Sequence, residues 1–316
     1  MGSAAQLETN VTDSIVGPGE HWREILSGGN RRPYLVHVPS RYDSTTRLPV
    51  LVVLHGGGGS ASFVSQVYGW PDLSDREGCL AVFPEATAED PERPAAVREN
   101  PRLWNDGSKR SSVARRNVDD IGYLAAVLDD LQANYAIDAK RVFMTGFSNG
   151  ASMTFRAGIE LSDRLAAIAP VSGHLCLQDP RPARPLSMFY IIGLADPLNP
   201  LAGGTTRTPW GATRQKPPVM DSILTWVRLI GASEQPHVLR NSDGVRHVRY
   251  GPGVSNCEVQ FCTIEGQGHE WPGARRTLPR IISGPQTSKL DATRAVWDFF
   301  AATQRGTSAE YSGQEG

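Results

Sequence analysis

The stretch Pro49-Val50-Leu51-Val52-Val53-Leu54 constrains this chain more than any other segment. A strand with one wet face alternates apolar and polar residues, whereas an unbroken β-branched and leucine run suits a strand covered on both faces. Such a strand needs helices above and below it, which calls for a parallel sheet with crossover connections. The rest of the chain supplies both parts. Leu80–Phe83, Arg141–Thr145, Ala166–Val171, Met188–Ile192, His247–Gly251 and Val259–Glu265 read as further strands. Asp119–Ala133, Ala151–Leu161, Val219–Ile230 and Asp291–Phe300 have the apolar spacing of helices. The last presents Ala295, Val296, Phe299 and Phe300 on one face. Ahead of all these, His21–Leu26 and Tyr34–Val38 flank the turn Ser27-Gly28-Gly29-Asn30 and predict an antiparallel hairpin. The expected architecture is α/β: a mostly parallel central sheet, helices on both faces and an N-terminal antiparallel hairpin.

Residues Glu85–Arg116 show neither period and are rich in Pro, Arg, Asn and Gly. A loop that long in a compact domain is expected to form a lid or a binding wall. There is no internal repeat and no interdomain linker, so 16–303 reads as one domain. Residues 1–15 read as a flexible segment and 304–316, with almost no apolar content, as a disordered tail.

Charge narrows the partners. Lys and Arg number 32 against 33 Asp and Glu, a formal charge of −1, which gives no electrostatic case for nucleic acid or an anionic membrane. No apolar run approaches the roughly 20 residues that cross a bilayer. The first 15 residues lack the basic start and apolar stretch of a secretory leader, so either the chain stays inside the cell or a leader has been removed. Four cysteines (Cys79, Cys176, Cys257 and Cys262) form no C-x-x-C pair, and the histidines show no metal-ligand spacing. Neither a metal nor an organic cofactor is expected. Cys79 lies in an apolar run and reads as a core thiol, while a bridge involving Cys257 and Cys262 stays open. Oligomeric state has no signature in the sequence.

The chemistry sits where strands end. Gly146-Phe147-Ser148-Asn149-Gly150 follows the strand Arg141–Thr145 and opens a helix. A G-x-S-x-G pattern in that setting makes a tight bend, with glycines where side chains would collide and a serine hydroxyl standing free. The helix start also aims open backbone N–H groups at the same point. His55-Gly56-Gly57-Gly58-Gly59-Ser60 follows the central strand, and its glycines let backbone approach a ligand closely. The amides of Gly57 and Asn149 are the expected oxyanion donors, with Gly58 as the adjacent alternative. A phosphate-loop reading fails because no G-x-x-x-x-G-K-[ST] is present. His55 is expected to brace the loop.

A serine nucleophile needs a base and an orienting acid, which in this topology follow in the order Ser, Asp, His. Asp196, in Leu194-Ala195-Asp196-Pro197, ends one strand. His269, in Gly266-Gln267-Gly268-His269-Glu270-Trp271-Pro272, follows the last. His174 also follows a strand but precedes the acid, so it reads as a pocket-lining residue. Asp119-Asp120 resembles a carboxylate pair, yet adjacent residues at a helix start diverge; capping and a structural ion pair are expected there.

These motifs together resemble the esterase and polyhydroxybutyrate depolymerase family of α/β-hydrolases, which also contains feruloyl and acetyl xylan esterases. The resemblance covers roughly residues 25–300. It rests on Arg32–Pro39 (R-x-Y-x-x-H-x-P), Leu54-His55-Gly56, Leu103-Trp104-Asn105, Val118-Asp119-Asp120, Arg141–Gly150, Ala166–Gly173, Gly193–Pro200 and Gly268–Gly273. It implies Ser148, Asp196 and His269 as the catalytic triad, Gly57 and Asn149 as oxyanion amides, and Trp271 and Trp104 beside the substrate. It implies a carboxylic ester as substrate: a polyhydroxyalkanoate-type polyester or its oligomers first, and a feruloyl or acetyl ester on plant polysaccharide second. An acyltransferase would use the same triad with a different second nucleophile. Many members carry cysteines where this chain has Asp106-Gly107-Ser108 and Gly57, so their disulfides do not transfer. Most relatives are exported.

Overall fold

The apolar run at 49 lies within the strand Leu48–Leu54, and every residue of that strand is buried. A computed structural model describes residues 17–109, 111–207, 211–275 and 279–303. The flexible N-terminal segment and the tail expected at 304–316 lie outside the described residues. In chain order the strands are β1 Gly19–Ser27, β2 Asn30–Val38, β3 Leu48–Leu54, β4 Leu80–Pro84, β5 Thr87–Ala88, β6 Arg102–Leu103 and β7 Ile137–Phe147. They continue with β8 Ala167–Val171, β9 Ser187–Gly193, β10 Gly204–Arg207, β11 Thr213–Lys216, β12 His237–Ser242, β13 Val245–Tyr250 and β14 Val259–Ile264. The helices are α1 Ala61–Tyr68, α2 Trp70–Glu77, α3 Ser112–Arg115, α4 Asp120–Asn134, α5 Asn149–Glu160, α6 Val219–Leu229, α7 Arg280–Ser283 and α8 Ala292–Ala301.

Ten strands form one sheet in the order β1-β2-β4-β3-β7-β8-β9-β14-β13-β12. The central six, β4 to β14, pair in parallel. Antiparallel strands flank them on both sides. The N-terminal hairpin turns tightly, with Ser27 opposite Asn30 and positive φ at Gly28 and Gly29. Two consecutive positive φ values match the right-handed twist of the flanking strands, and glycine takes them at no steric cost.

The pleat explains why β3 has no polar residue. Val50, Val52 and Leu54 pack in the cluster with α4, α5 and α6. Leu51 and Val53 face the other way, into the cluster with α1, α2 and α8. Both faces are covered, so both sets must be apolar.

The structure holds elements beyond the sequence reading, among them the antiparallel pair β10–β11 and the four-residue α7. The helices α1 and α2 were not expected; each has only eight residues, too short for a clear period, although Ser60 caps α1 by accepting from Phe63 N–H. The strand β12 is exposed along its length, Val238 and Leu239 included, because it is the sheet edge and packs on nothing that would impose alternation. The segment 85–116 is not structureless: β5 pairs with β6, and α3 follows.

Candidate active site

The loops leaving β3, β7, β9 and β14 converge at the carboxyl end of the parallel strands, where open α/β sheets place their sites. At the end of β7 the chain bends into α5 through Ser148, whose φ of 55° and ψ of −115° lie outside the regular regions. Such a conformation costs about 1–3 kcal/mol for a non-glycine residue, so the surroundings must hold it. They do so by crowding. A β-carbon added at Gly146 would lie 2.5 Å from the Gly150 carbonyl oxygen, and one at Gly150 would strike the carbonyl oxygens of Leu54 and His55. Only glycines let the elbow press this closely against β3.

Ser148, His269 and Asp196 form a continuous chain. The Ser148 hydroxyl lies 2.9 Å from His269 Nε2, and His269 Nδ1 lies 2.8 Å from Asp196 Oδ2. An ionised carboxylate only accepts, so Nδ1 carries the proton, and Nε2 is left to accept from the serine. The other Asp196 oxygen accepts from the amides of Leu198 and Asn199 at 2.8 Å each. Burial pushes the Asp196 carboxyl up, but the neighbouring imidazole and these N–H groups outweigh it and hold the pKa below its ordinary value. Asn199 in turn donates its side-chain amide to the Ser172 carbonyl, fixing the acid's turn to the end of β8. The ring of Phe147 packs along the imidazole of His269.

Beside the serine, a β-carbon built on Gly57 would lie 3.8 Å from Asn149 Cβ, so the glycine loop and the elbow face each other across a narrow gap. The Gly58 amide donates to Arg102 O at 2.8 Å and the Gly59 amide to Gly56 O, which removes Gly58 as an oxyanion donor. No described residue accepts from the Gly57 amide. The Asn149 amide sits in the first turn of α5, where helix N–H groups have no partner within the helix. His55 does brace the loop: Nδ1–H donates to Gly56 O, and Nε2 accepts from the Ala86 amide. Complete burial pushes its pKa down to about 4, so the ring is neutral.

The residues expected at the substrate are a correction. Trp104 is fully buried and donates its indole N–H to His55 O. Trp271 is fully buried, stacks on Tyr68 at 4.7 Å and donates to Thr293 Oγ1. His174 is 1% exposed, beneath the elbow, with its amide donating to Ser152 Oγ. None of the three offers surface to a substrate in this structure. An indole has one donor and a large apolar body, and at both positions the interior supplies the acceptor and the packing. The half-buried Leu103 is the side chain nearest Gly57. Leu103 and Phe147 stand inside motifs that the sequence shows, but neither has a role legible there, because an apolar side chain carries no reactive group and only its tertiary neighbours reveal what it packs on.

Asp119 and Asp120 behave as a cap and an ion pair. Asp119 Oδ1 accepts from Gly122 N, while the buried Asp120 meets Arg32 at 2.7 Å. None of the four cysteines is joined in a disulfide. Among the described residues, no group of three or more His, Cys, Asp or Glu is placed to hold a metal.

The sequence profile of the phospholipase/carboxylesterase family matches residues 42–210, a span that contains Ser148 and Asp196. Among curated proteins, NocK of Nocardia uniformis subsp. tsuyamanensis, described as an esterase, is 28% identical over 294 residues, covering 88% of this chain and 81% of NocK. Feruloyl esterase B of Piromyces equi is 25% identical over 247 residues, covering 75% of this chain and 42% of that protein. Among solved structures, the acetyl xylan esterase from Aspergillus awamori superposes with a TM-score of 0.58 at 13% identity, covering 89% of this chain and 99% of that one. At that identity the likeness speaks for the fold, which is the α/β-hydrolase fold. The chain belongs to the phospholipase/carboxylesterase family and is a serine esterase, a hydrolase of carboxylic esters.

Proposed function

We propose that Ser148 attacks the ester carbonyl while His269 Nε2 takes its proton, and that Asp196 holds the imidazole in the required tautomer and stabilises its cation. The amides of Gly57 and Asn149 receive the developing oxyanion. Collapse of the tetrahedral adduct passes the proton from His269 to the leaving alcohol and leaves an acyl group on Ser148. Water, deprotonated by the same imidazole, then releases the acid. The observation that carries this reading is the unbroken hydrogen-bonded line from Asp196 through His269 to Ser148.

The substrate we propose is a polyhydroxyalkanoate-type polyester or its soluble oligomers. The motifs that resemble the depolymerases support it. So does Leu103, an aliphatic rather than aromatic neighbour of Gly57, which suits a short aliphatic acyl chain. A feruloyl or acetyl ester on polysaccharide is the second reading, favoured by the names of the fungal relatives. The test is a panel of hydroxybutyrate oligomers, methyl ferulate, acetylated xylan and short p-nitrophenyl esters, compared by kcat/KM with Ser148→Ala as control. Hydroxybutyrate oligomers should lead; a clear preference for methyl ferulate or acetylated xylan would overturn the polyester reading. An added alcohol acceptor in the same panel tests transfer, since an acyltransferase would return a new ester in place of free acid.

A further inference from the structure

The segment Arg102–Asp106 touches both candidate oxyanion donors. At one end it meets the glycine loop: Arg102 O accepts the Gly58 amide, Leu103 abuts Gly57, and the Trp104 indole donates to His55 O. At the other end it meets the elbow through the side chain of Asn149, whose Oδ1 accepts from Trp104 N at 2.7 Å. Asn149 Nδ2 donates to Asp106 Oδ2 at 3.0 Å and to Trp104 O at 3.3 Å. The backbone N–H of this same residue is one of the two donors. The segment is held from below as well. Asp120 Oδ2 accepts from Asn105 N, Val118 O accepts from Asn105 Nδ2, and Arg156 donates to Asn105 O.

We propose that residues 102–106 act as a strap fixing the Gly57 and Asn149 amides relative to each other, with Asp106 and the Asn149 side chain as its positioning residues. This inference rests on the reading of those amides as the oxyanion pocket. The physical reason for a strap is that the two donors belong to different βα connections, after β3 and after β7. Sheet pairing alone leaves the loop tips free to drift, and small misplacements of a preorganised donor are costly to the rate. Leu103 is the strap's one residue set beside the substrate; the tether itself, the Asn149 side chain bonded to Trp104 and Asp106, is engaged away from the ester. Removing it should therefore lower kcat while leaving KM nearly unchanged.

The experiment is a double-mutant cycle on Asp106→Ala and Asn149→Ala, with Asp106→Asn as the conservative variant. Asn149→Ala removes the tether but keeps the backbone N–H. Rates are read per active site by titrating Ser148 with a fluorophosphonate, so any unfolded fraction drops out. Each alanine variant should lose about 10- to 100-fold in kcat with KM within about twofold, below the full loss of one oxyanion donor. The double variant should be no worse than the more damaged single one, because both changes cut the same tether. Asp106→Asn retains an acceptor and should recover most of the rate. Losses that multiply in the double variant, or wild-type kcat in both single ones, would overturn the strap while Ser148→Ala remains inactive. Turnover surviving in Ser148→Ala would instead overturn the active-site reading and the strap with it.

Discussion

The ring of Phe147 lies against the imidazole of His269, with centroids 4.7 Å apart and planes inclined by 39°. Phe147 fills the variable position before the serine, so the elbow supplies both the hydroxyl and one wall of the base that activates it. The same ring meets Tyr68 edge-on at 6.3 Å, and Tyr68 stacks on Trp271, two residues beyond His269. The base is thereby packed from the elbow side and tied from the acid side.

Phe147→Ala should therefore damage stability and turnover together. Truncating a buried phenylalanine costs about 3–5 kcal/mol, and the freed imidazole should lose its fixed approach to Ser148. Chemical denaturation and kcat at a temperature well below Tm measure the two losses separately. A large stability loss with full kcat would show that Asp196 alone orients the ring.

Replacing the acid should be severe while leaving the fold intact. Asp196→Asn keeps the size and an acceptor for the Leu198 and Asn199 amides, but it favours the wrong imidazole tautomer. The expected fall in kcat is about 10⁴-fold. Ser148→Ala and His269→Ala should abolish turnover with unchanged circular dichroism. Loss on His174→Ala with survival of His269→Ala would reassign the base.

His55 makes stability pH-dependent. Its pKa falls from 6.5 to about 4 on burial, so the folded chain binds this proton less readily than the unfolded chain. The stabilising contribution is complete above pH 6.5 and is lost as pH falls toward 4. A shift of that size corresponds to about 3 kcal/mol. His55→Gln cannot titrate, so its stability deficit against wild type should be largest at pH 7.5 and shrink toward pH 4, read by urea unfolding across that range. A deficit independent of pH would contradict the assignment.

The buried pair Arg32–Asp120 should show strong coupling. Arg32 also lies over the Tyr123 ring, 3.7 Å from its centroid. Burial pushes the Asp120 carboxyl up, and Arg32 is the main opposing influence. Arg32→Met strands a buried carboxylate and should cost about 3–5 kcal/mol. Arg32→Met/Asp120→Asn removes the charge while keeping an acceptor for the Asn105 amide, and should be the more stable of the two by equilibrium unfolding. Equal stability of single and double variants would mean that the carboxyl simply protonates at little cost.

Local pattern was enough for the parallel strands, the elbow and the order Ser, Asp, His, because each is written in contiguous residues. β3 is apolar throughout since both faces are covered, and Gly146 and Gly150 are required by backbone contacts that any such bend creates. The three reactive groups could be named because each directly follows a strand, and parallel strands deliver their carboxyl ends to one side. Tertiary structure decided what had no local period. Trp104 and Trp271 read equally well as wall or core from their neighbours, and only the acceptors His55 O and Thr293 Oγ1, distant in the chain, turned them inward. The choice of Gly57 over Gly58 depended on Arg102 O capturing one amide across more than forty residues of sequence. Burial and hydrogen-bond satisfaction depend on what the rest of the chain brings to a point, and a residue's own neighbours do not encode that.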